Sequence, residues 1–138
     1  MTTTLDAARA ALRSQPFSTL LGAELTSFDS AGIELRVPIT DQLKQQHGFV
    51  HGGVISYAAD NALTFAAGFA LGPAVVTAEY KISYLRPAKG EALVARASIV
   101  HAGKSQAVCR CDVFVVAGEE LVLCAVALGT ISSQSRTE

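Results

Sequence analysis

The spacing of apolar and polar residues changes several times along this chain, and each change marks a different element. Leu5, Ala8 and Leu12 recur at helical spacing and Pro16 follows them, which predicts a short opening helix at an edge or over a site as a lid. Over 24–40 the period falls to two: Ile33, Leu35 and Val37 alternate with Glu34 and Arg36 after Asp29-Ser30-Ala31-Gly32, so a hairpin with one wet face is expected. Residues 41–53 lose all periodicity and carry Gln45, Gln46, His47, Gly48, His51 and Gly52, which suit polar contacts better than a core. From 53 to 72 the pattern is that of one long helix, bounded by glycines and followed by Pro73. Its Ile55, Ala58, Ala59, Ala62, Phe65, Ala66 and Phe69 cover most of the circumference, so it should be buried nearly all round.

Four β-branched, alternating runs follow at 75–85, 92–101, 106–117 and 121–131, and the chain looks frayed from Ser132 onward. The connections Pro87-Ala88-Lys89-Gly90, Ala102-Gly103-Lys104-Ser105 and Ala117-Gly118-Glu119-Glu120 have hairpin length, so these strands are expected to pair as an antiparallel meander. One apolar helix and several long strands are reconciled by an α+β architecture, a curved antiparallel sheet wrapped around a central helix. No repeat or linker interrupts it, and a chain of 138 residues is expected to form a single domain, 1–138.

Composition narrows the function classes. Charged residues make up 17% of the chain and hydrophobic ones 50%, leaving few charges to cover a lone protomer, so some apolar surface is expected to meet another subunit. The net charge of -1 and the scattered lysines and arginines give no basic stripe for a nucleic-acid backbone. The first residues lack the apolar run of a secretory signal, and the longest uninterrupted apolar stretches fall short of the ~20 residues of a bilayer span. A cytoplasmic protein without a membrane segment is the expectation. Cys109, Cys111 and Cys124 lie inside apolar strands and fit reduced packing thiols.

Candidate chemistry gathers on the long helix. Ser56, Asp60 and Thr64, spaced four apart, form one narrow polar stripe with Asn61 beside it. An acid among apolar neighbours needs either a structural partner on another strand or a task. Desolvation would favour its neutral form and suit it to accept a proton from water as a general base. Gly52-Gly53 opens the same helix, where free N–H groups and the helix dipole favour an oxyanion. Eight residues of helix separate Gly52 from Asp60, about 12 Å at 1.5 Å per residue, so both can act on one bond only if they come from different subunits. His47 and His51 are four apart, but Gly48 and Gly52-Gly53 argue against a continuous helix aligning them, and no metal is expected. The chain has no Gly-x-Ser-x-Gly elbow, no Walker sequence and no Gly-x-Gly-x-x-Gly after a strand.

The run Gln45-Gln46-His47-Gly48-Phe49-Val50-His51-Gly52-Gly53, Asp60 after it, Thr77, and Tyr84-Leu85-Arg86-Pro87-Ala88 together resemble the PaaI-type hotdog-fold acyl-CoA thioesterases over about residues 20–131. The resemblance implies hydrolysis of an aryl- or medium-chain acyl-CoA without a cofactor, since CoA arrives with the substrate. The Gly52 amide, helped by Gly53, would polarise the thioester carbonyl. Asp60 of the facing subunit would be base or nucleophile, Thr77 would position water, and His51 would shape the turn. Gln45 stands where many members carry Asn. Arg86, Lys89, Lys104 and Ser105 would meet the CoA phosphates, and Phe49, Tyr57, Leu63 and Phe65 would line the acyl pocket. The family also implies a homodimer or homotetramer with sites at the subunit interface. Two other readings stay open on the same residues: an acyl-thioester dehydratase or hydratase using His51 with Asp60, and a non-catalytic acyl-CoA sensor.

Overall fold

The computed structural model describes residues 4–134. Two short helices, α1 (Thr4–Arg13) and α2 (Pro16–Leu21), lead into β1 (Glu24–Asp29) and β2 (Gly32–Pro38). A 3-10 turn at Asp41–Leu43 starts the polar loop, and the long helix α3 (Gly52–Leu71) follows. The chain then runs through β3 (Val75–Tyr84), β4 (Ala92–Ala102), β5 (Gln106–Ala117) and β6 (Glu120–Ser133). All strands join one six-stranded sheet in the order β1-β2-β4-β5-β6-β3, antiparallel throughout. The sheet carries ladder irregularities at Leu25/Ser27, Thr77/Glu79, Ile99/His101 and Val113/Phe114. Each bends its strand and adds twist, which lets a sheet this wide curl around a helix. The arrangement is the hotdog fold.

The expected meander holds for β4, β5 and β6 and fails for β3. β3 pairs with β6 at the far edge, while β4 pairs with β2 and β5. Residues 85–91 are therefore a crossing and not a hairpin: Leu85 N–H donates to Cys124 O, Glu91 N–H to Val116 O, and Val50 N–H to Ala88 O. These bonds carry the segment over the ends of β6 and β5 and tie the polar loop to it. Turn length alone could not separate a hairpin from this crossing, because both use the same short polar residues. Ser132, where fraying was expected to begin, pairs instead with Val76 and Gln106 inside the sheet, and residues 135–138 of that expectation lie outside the described residues.

α3 packs on β4 and β5 through small residues. Ala58, Ala59, Ala62, Ala66 and Ala67 are buried together with Ile55 and Leu63, facing Ala95, Cys109, Cys111 and Ala125 among others in one core. Alanine on both surfaces brings helix and sheet close. Gly129 on β6 serves the same end: a Cβ there would lie 2.7 Å from Tyr80 Cβ and 3.1 Å from Leu63 Cδ1, too close for any side chain. Burial of α3 is one-sided in the protomer, contrary to the expectation from its composition. Tyr57, Asp60, Asn61, Thr64 and Phe65 are half-buried, and Phe69 is exposed. By length and hydropathy α3 could cross a membrane, but it is the core helix of this sheet.

Candidate active site

Helix α3 begins one residue before the glycine expected to start it, because His51 is its N-cap. The imidazole Nδ1 accepts the Gly53 N–H at 2.8 Å, which satisfies a donor that a helix N-terminus leaves free. Around it further polar groups of the turn are engaged. His51 N–H donates to Leu43 O, Val54 N–H donates to His51 O, and Tyr84 OH donates to Gly52 O at 3.0 Å. The peptide joining Gly52 to Gly53 is thus held at both ends, its carbonyl by Tyr84 and its N–H by His51. Among the described residues no acceptor takes the Gly52 N–H. Of the two amides singled out in the sequence, the Gly53 N–H is spent inside the protomer and the Gly52 N–H is free.

β3 runs antiparallel to α3 and bonds to three successive turns of it. Tyr84 OH reaches Gly52 O, Tyr80 OH is hydrogen-bonded to Ser56 Oγ, and Thr77 Oγ1 donates to Asp60 Oδ1 at 2.6 Å. Tyr80 and Tyr84 share a face by strand alternation, but Thr77 would point the other way on a regular strand. The ladder shift between Thr77 and Glu79 makes Ala78 an extra residue and turns Thr77 toward the helix. Asp60 Oδ1 is thereby held, and Asp60 Oδ2 has no partner among the described residues. Sequence reasoning had Thr77 positioning the water through the family resemblance, and the structure places its hydroxyl on Asp60. That reasoning missed Tyr80, although Tyr80 and Tyr84, four apart on one strand, carry the alternation that would have found it.

Beside Asp60 lies a second polar group that the sequence did not signal. Tyr57 OH donates to Ser18 Oγ at 2.6 Å, Ser18 Oγ to Gln15 Oε1 at 2.5 Å, and Asn61 Nδ2 reaches Gln15 Oε1, Ser18 Oγ and Tyr57 OH at 3.1, 3.2 and 3.0 Å. This network fastens α2 to α3, and Ser18 within it is buried. Burial pushes the Tyr57 phenol above its ordinary value, against the effect of its hydrogen bonds with Ser18 and Asn61.

The remaining candidates are distributed as follows. Gln45 Oε1 is occupied by the loop it sits in, accepting from His47 N–H at 2.5 Å and Phe49 N–H at 3.4 Å. Within the protomer His51 and Asp60 are not brought together: nine residues of one helix put them roughly 13 Å apart along the axis, and His51 Nδ1 is in use. Arg86 and Lys89 lie exposed on the crossing before β4, whereas Lys104 and Ser105 lie exposed in the turn after it. An eleven-residue strand, roughly 35 Å at 3.3 Å per residue, separates the two pairs within a protomer. Of the four residues expected to line an acyl pocket, Leu63 is wholly in the core and Tyr57 is in the polar network. Phe65 does border a cavity, with Phe28.

Comparison with known proteins places this geometry. A family model described as the thioesterase superfamily matches residues 47–122, a span that includes the end of the polar loop, α3 and strands β3 to β5. A putative esterase of Haemophilus influenzae is 31% identical over 114 residues, 81% of this chain and 80% of that one. The acyl-coenzyme A thioesterase PaaI of Escherichia coli is 33% identical over 89 residues, 64% of this chain and 63% of its own. Among solved structures, a thioesterase family protein from Silicibacter pomeroyi superposes with a TM-score of 0.85 at 33% identity, covering 91% of this chain and 93% of that one.

Proposed function

Since the chain belongs to the thioesterase superfamily and is a thioester hydrolase, we propose that it cleaves an aryl- or medium-chain acyl-CoA with Asp60 of one protomer and the Gly52 amide of its partner. One observation carries this reading. At the start of α3 the Gly53 N–H and the Gly52 carbonyl are engaged within the protomer while no acceptor among the described residues takes the Gly52 N–H, and two turns further on Thr77 holds one oxygen of Asp60 and leaves the other open.

In the reaction the partner's Gly52 N–H donates to the thioester carbonyl oxygen. Asp60 Oδ2 takes a proton from water, whose oxygen attacks the carbonyl carbon. Negative charge builds on the carbonyl oxygen at the amide and the helix terminus, where a pre-aligned donor stabilises it. Collapse of the tetrahedral intermediate breaks the carbon–sulfur bond, the thiolate leaves with the proton from Asp60, and the free acid remains. Thr77 keeps the carboxylate in register. His51 acts through the turn, as cap. The Gln45 side-chain amide is available as a second donor toward the carbonyl, since only its oxygen is used by the loop. Arg86 and Lys89 from one protomer with Lys104 and Ser105 from the other would serve the CoA phosphates, the separation across β4 being too long for one subunit to supply all four.

The hydratase reading requires an imidazole facing an acid; within one protomer His51 and Asp60 lie on different turns, and His51 Nδ1 is taken by the Gly53 N–H. The sensor reading predicts binding without thiol release. Measuring CoA release from acyl-CoAs tests both. Wild type should release thiol, and Asp60→Asn should lower kcat by about 10² to 10⁴ with an unchanged oligomer. Near-normal turnover by Asp60→Asn, or interconversion of enoyl- and 3-hydroxyacyl-CoA without thiol release, would overturn the assignment.

A further inference from the structure

Between the Gly52 turn and Asp60, one pair of hydroxyls on the seam of α3 and β3 is left half satisfied. Tyr80 OH and Ser56 Oγ are hydrogen-bonded to each other, and neither hydroxyl has another partner among the described residues. A hydroxyl donates once and can accept as well. Whichever of the two donates in this bond, the other keeps its hydrogen, so the pair carries one unused donor and one unused acceptor. Both residues are half-buried, where an unmet hydroxyl is costly.

The pair is built into the fold. Gly129 of β6 makes room for Tyr80, since a Cβ on that glycine would lie 2.7 Å from Tyr80 Cβ. Gly129 has no positive φ to require a glycine, so the close approach of Tyr80, Glu79 and Leu63 is its reason.

Symmetry decides where the unused donor goes. The function proposed above sets Asp60 of each copy against Gly52 of the other. A two-fold dimer makes both contacts at once, which requires the two α3 helices to run antiparallel with position 52 opposite position 60. Ser56 stands midway, about 6 Å of helix rise from either, and therefore faces Ser56 of the second copy across the axis.

We propose that the Tyr80–Ser56 pairs of two copies close into a ring of four hydroxyls on the dimer axis, a clasp that sets the helix register on which both sites depend. The two residue types alternate around the ring, each hydroxyl donating once and accepting once, so no donor is left unmet. With sides of about 2.8 Å the two Ser56 oxygens lie about 4 Å apart. The clasp rests on the sharing of Asp60 and Gly52 between copies. Tyr80 and Ser56 touch no substrate in it and are positioning residues.

Ser56→Cys tests the placement without reference to activity. Sulfurs in place of those oxygens come within reach of a disulfide, so mild oxidation should link two chains through residue 56 on a non-reducing gel. Wild type, whose three cysteines are buried, should give no such band. A dimer that stays unlinked overturns the ring. Tyr80→Phe and Ser56→Ala should each lower kcat about tenfold through a small misplacement of the reacting groups, and full activity in both would also overturn it. A purely local role for Tyr80 on its own helix would lower kcat too, so the copy that carries the change is the deciding readout. Mixed dimers of Asp60→Asn and Gly52→Pro chains hold one working site, and Tyr80→Phe should slow that site equally from either copy. Slowing only from the copy that supplies Asp60 contradicts the clasp. If Asp60→Asn turns over normally and residue 56 still links the chains, the acid assignment fails and the clasp stands. If Asp60→Asn is inactive and residue 56 does not link them, the clasp fails and the acid assignment stands.

Discussion

One oxygen of Asp60 receives the Thr77 hydroxyl and the other is left open, which is the condition for a carboxylate that must stay in register and still accept a proton. Asp60 and Gly52 were legible in the sequence because each breaks a rule of its surroundings, an acid in an apolar helix and a glycine at a helix start. That Gly53 spends its N–H on His51 was not legible, since it depends on the imidazole folding back over its own turn. The three cysteines were legible as packing thiols and are all buried. Burial pushes Cys109 and Cys124 up to about 11, against the nearby Arg86 charge at Cys124, and pushes Cys111 up to about 12, helped by Asp112. Unfolded thiols titrate near pH ~8.5, so above that pH the unfolded chain gives up protons that the folded chain keeps. Their contribution to stability is therefore complete below pH ~8.5 and declines as pH rises toward 11. Native protein should leave its thiols unmodified by a thiol reagent at pH 8, and Tm should fall between pH 9 and 10.5 less steeply in a Cys109→Ala, Cys111→Ala, Cys124→Ala variant than in wild type. Equal slopes would show that thiol titration plays no part.

At the scale of elements, alternation read from the sequence located every strand, and the apolar run with bounding glycines located α3. Strand order was not legible. Residues 85–91 have the length and residues of a hairpin but travel from the edge strand β3 to the interior strand β4, a choice made by where α3 delivers the chain and not by the turn itself. The Ala78 irregularity was equally hidden, because Thr77 and Ala78 read as ordinary strand residues, yet it decides which of them faces Asp60. Gly129 sits against this place. Its missing side chain lets Tyr80 and Glu79 approach, with Glu79 O 2.9 Å from where a Cβ would stand. Gly129→Ala should push β3 off β6 beside the irregularity, costing about 1–3 kcal/mol in denaturant unfolding and lowering kcat through loss of the Thr77 contact. An unchanged unfolding midpoint with full activity would show that β3 tolerates the shift.

At the scale of the molecule, the protomer leaves two kinds of surface unfinished. β3 is a ten-residue edge strand with one side unpaired, and Val76, Tyr84 and Leu85 are exposed along and just after it. Phe17 and Leu20 on α2 are 57% and 77% exposed. Unpaired edges and apolar patches of this kind are where chains associate, in keeping with a site assembled from two copies. Complementation between two inactive variants measures that directly. Asp60→Asn removes the acid. Gly52→Pro removes the amide hydrogen and adds a ring whose Cβ would lie in ordinary contact with Tyr84 at 3.5 Å, at a first-turn position where proline suits the helix and after His51, whose ψ of 135° suits the residue before a proline. Each variant alone should be inactive. Unfolded together and refolded at equal concentrations, they should regain about a quarter of wild-type activity, because half of randomly formed dimers are mixed and each mixed dimer holds one intact site. No recovery from mixtures shown to contain mixed dimers would contradict a site shared between Asp60 of one copy and Gly52 of the other.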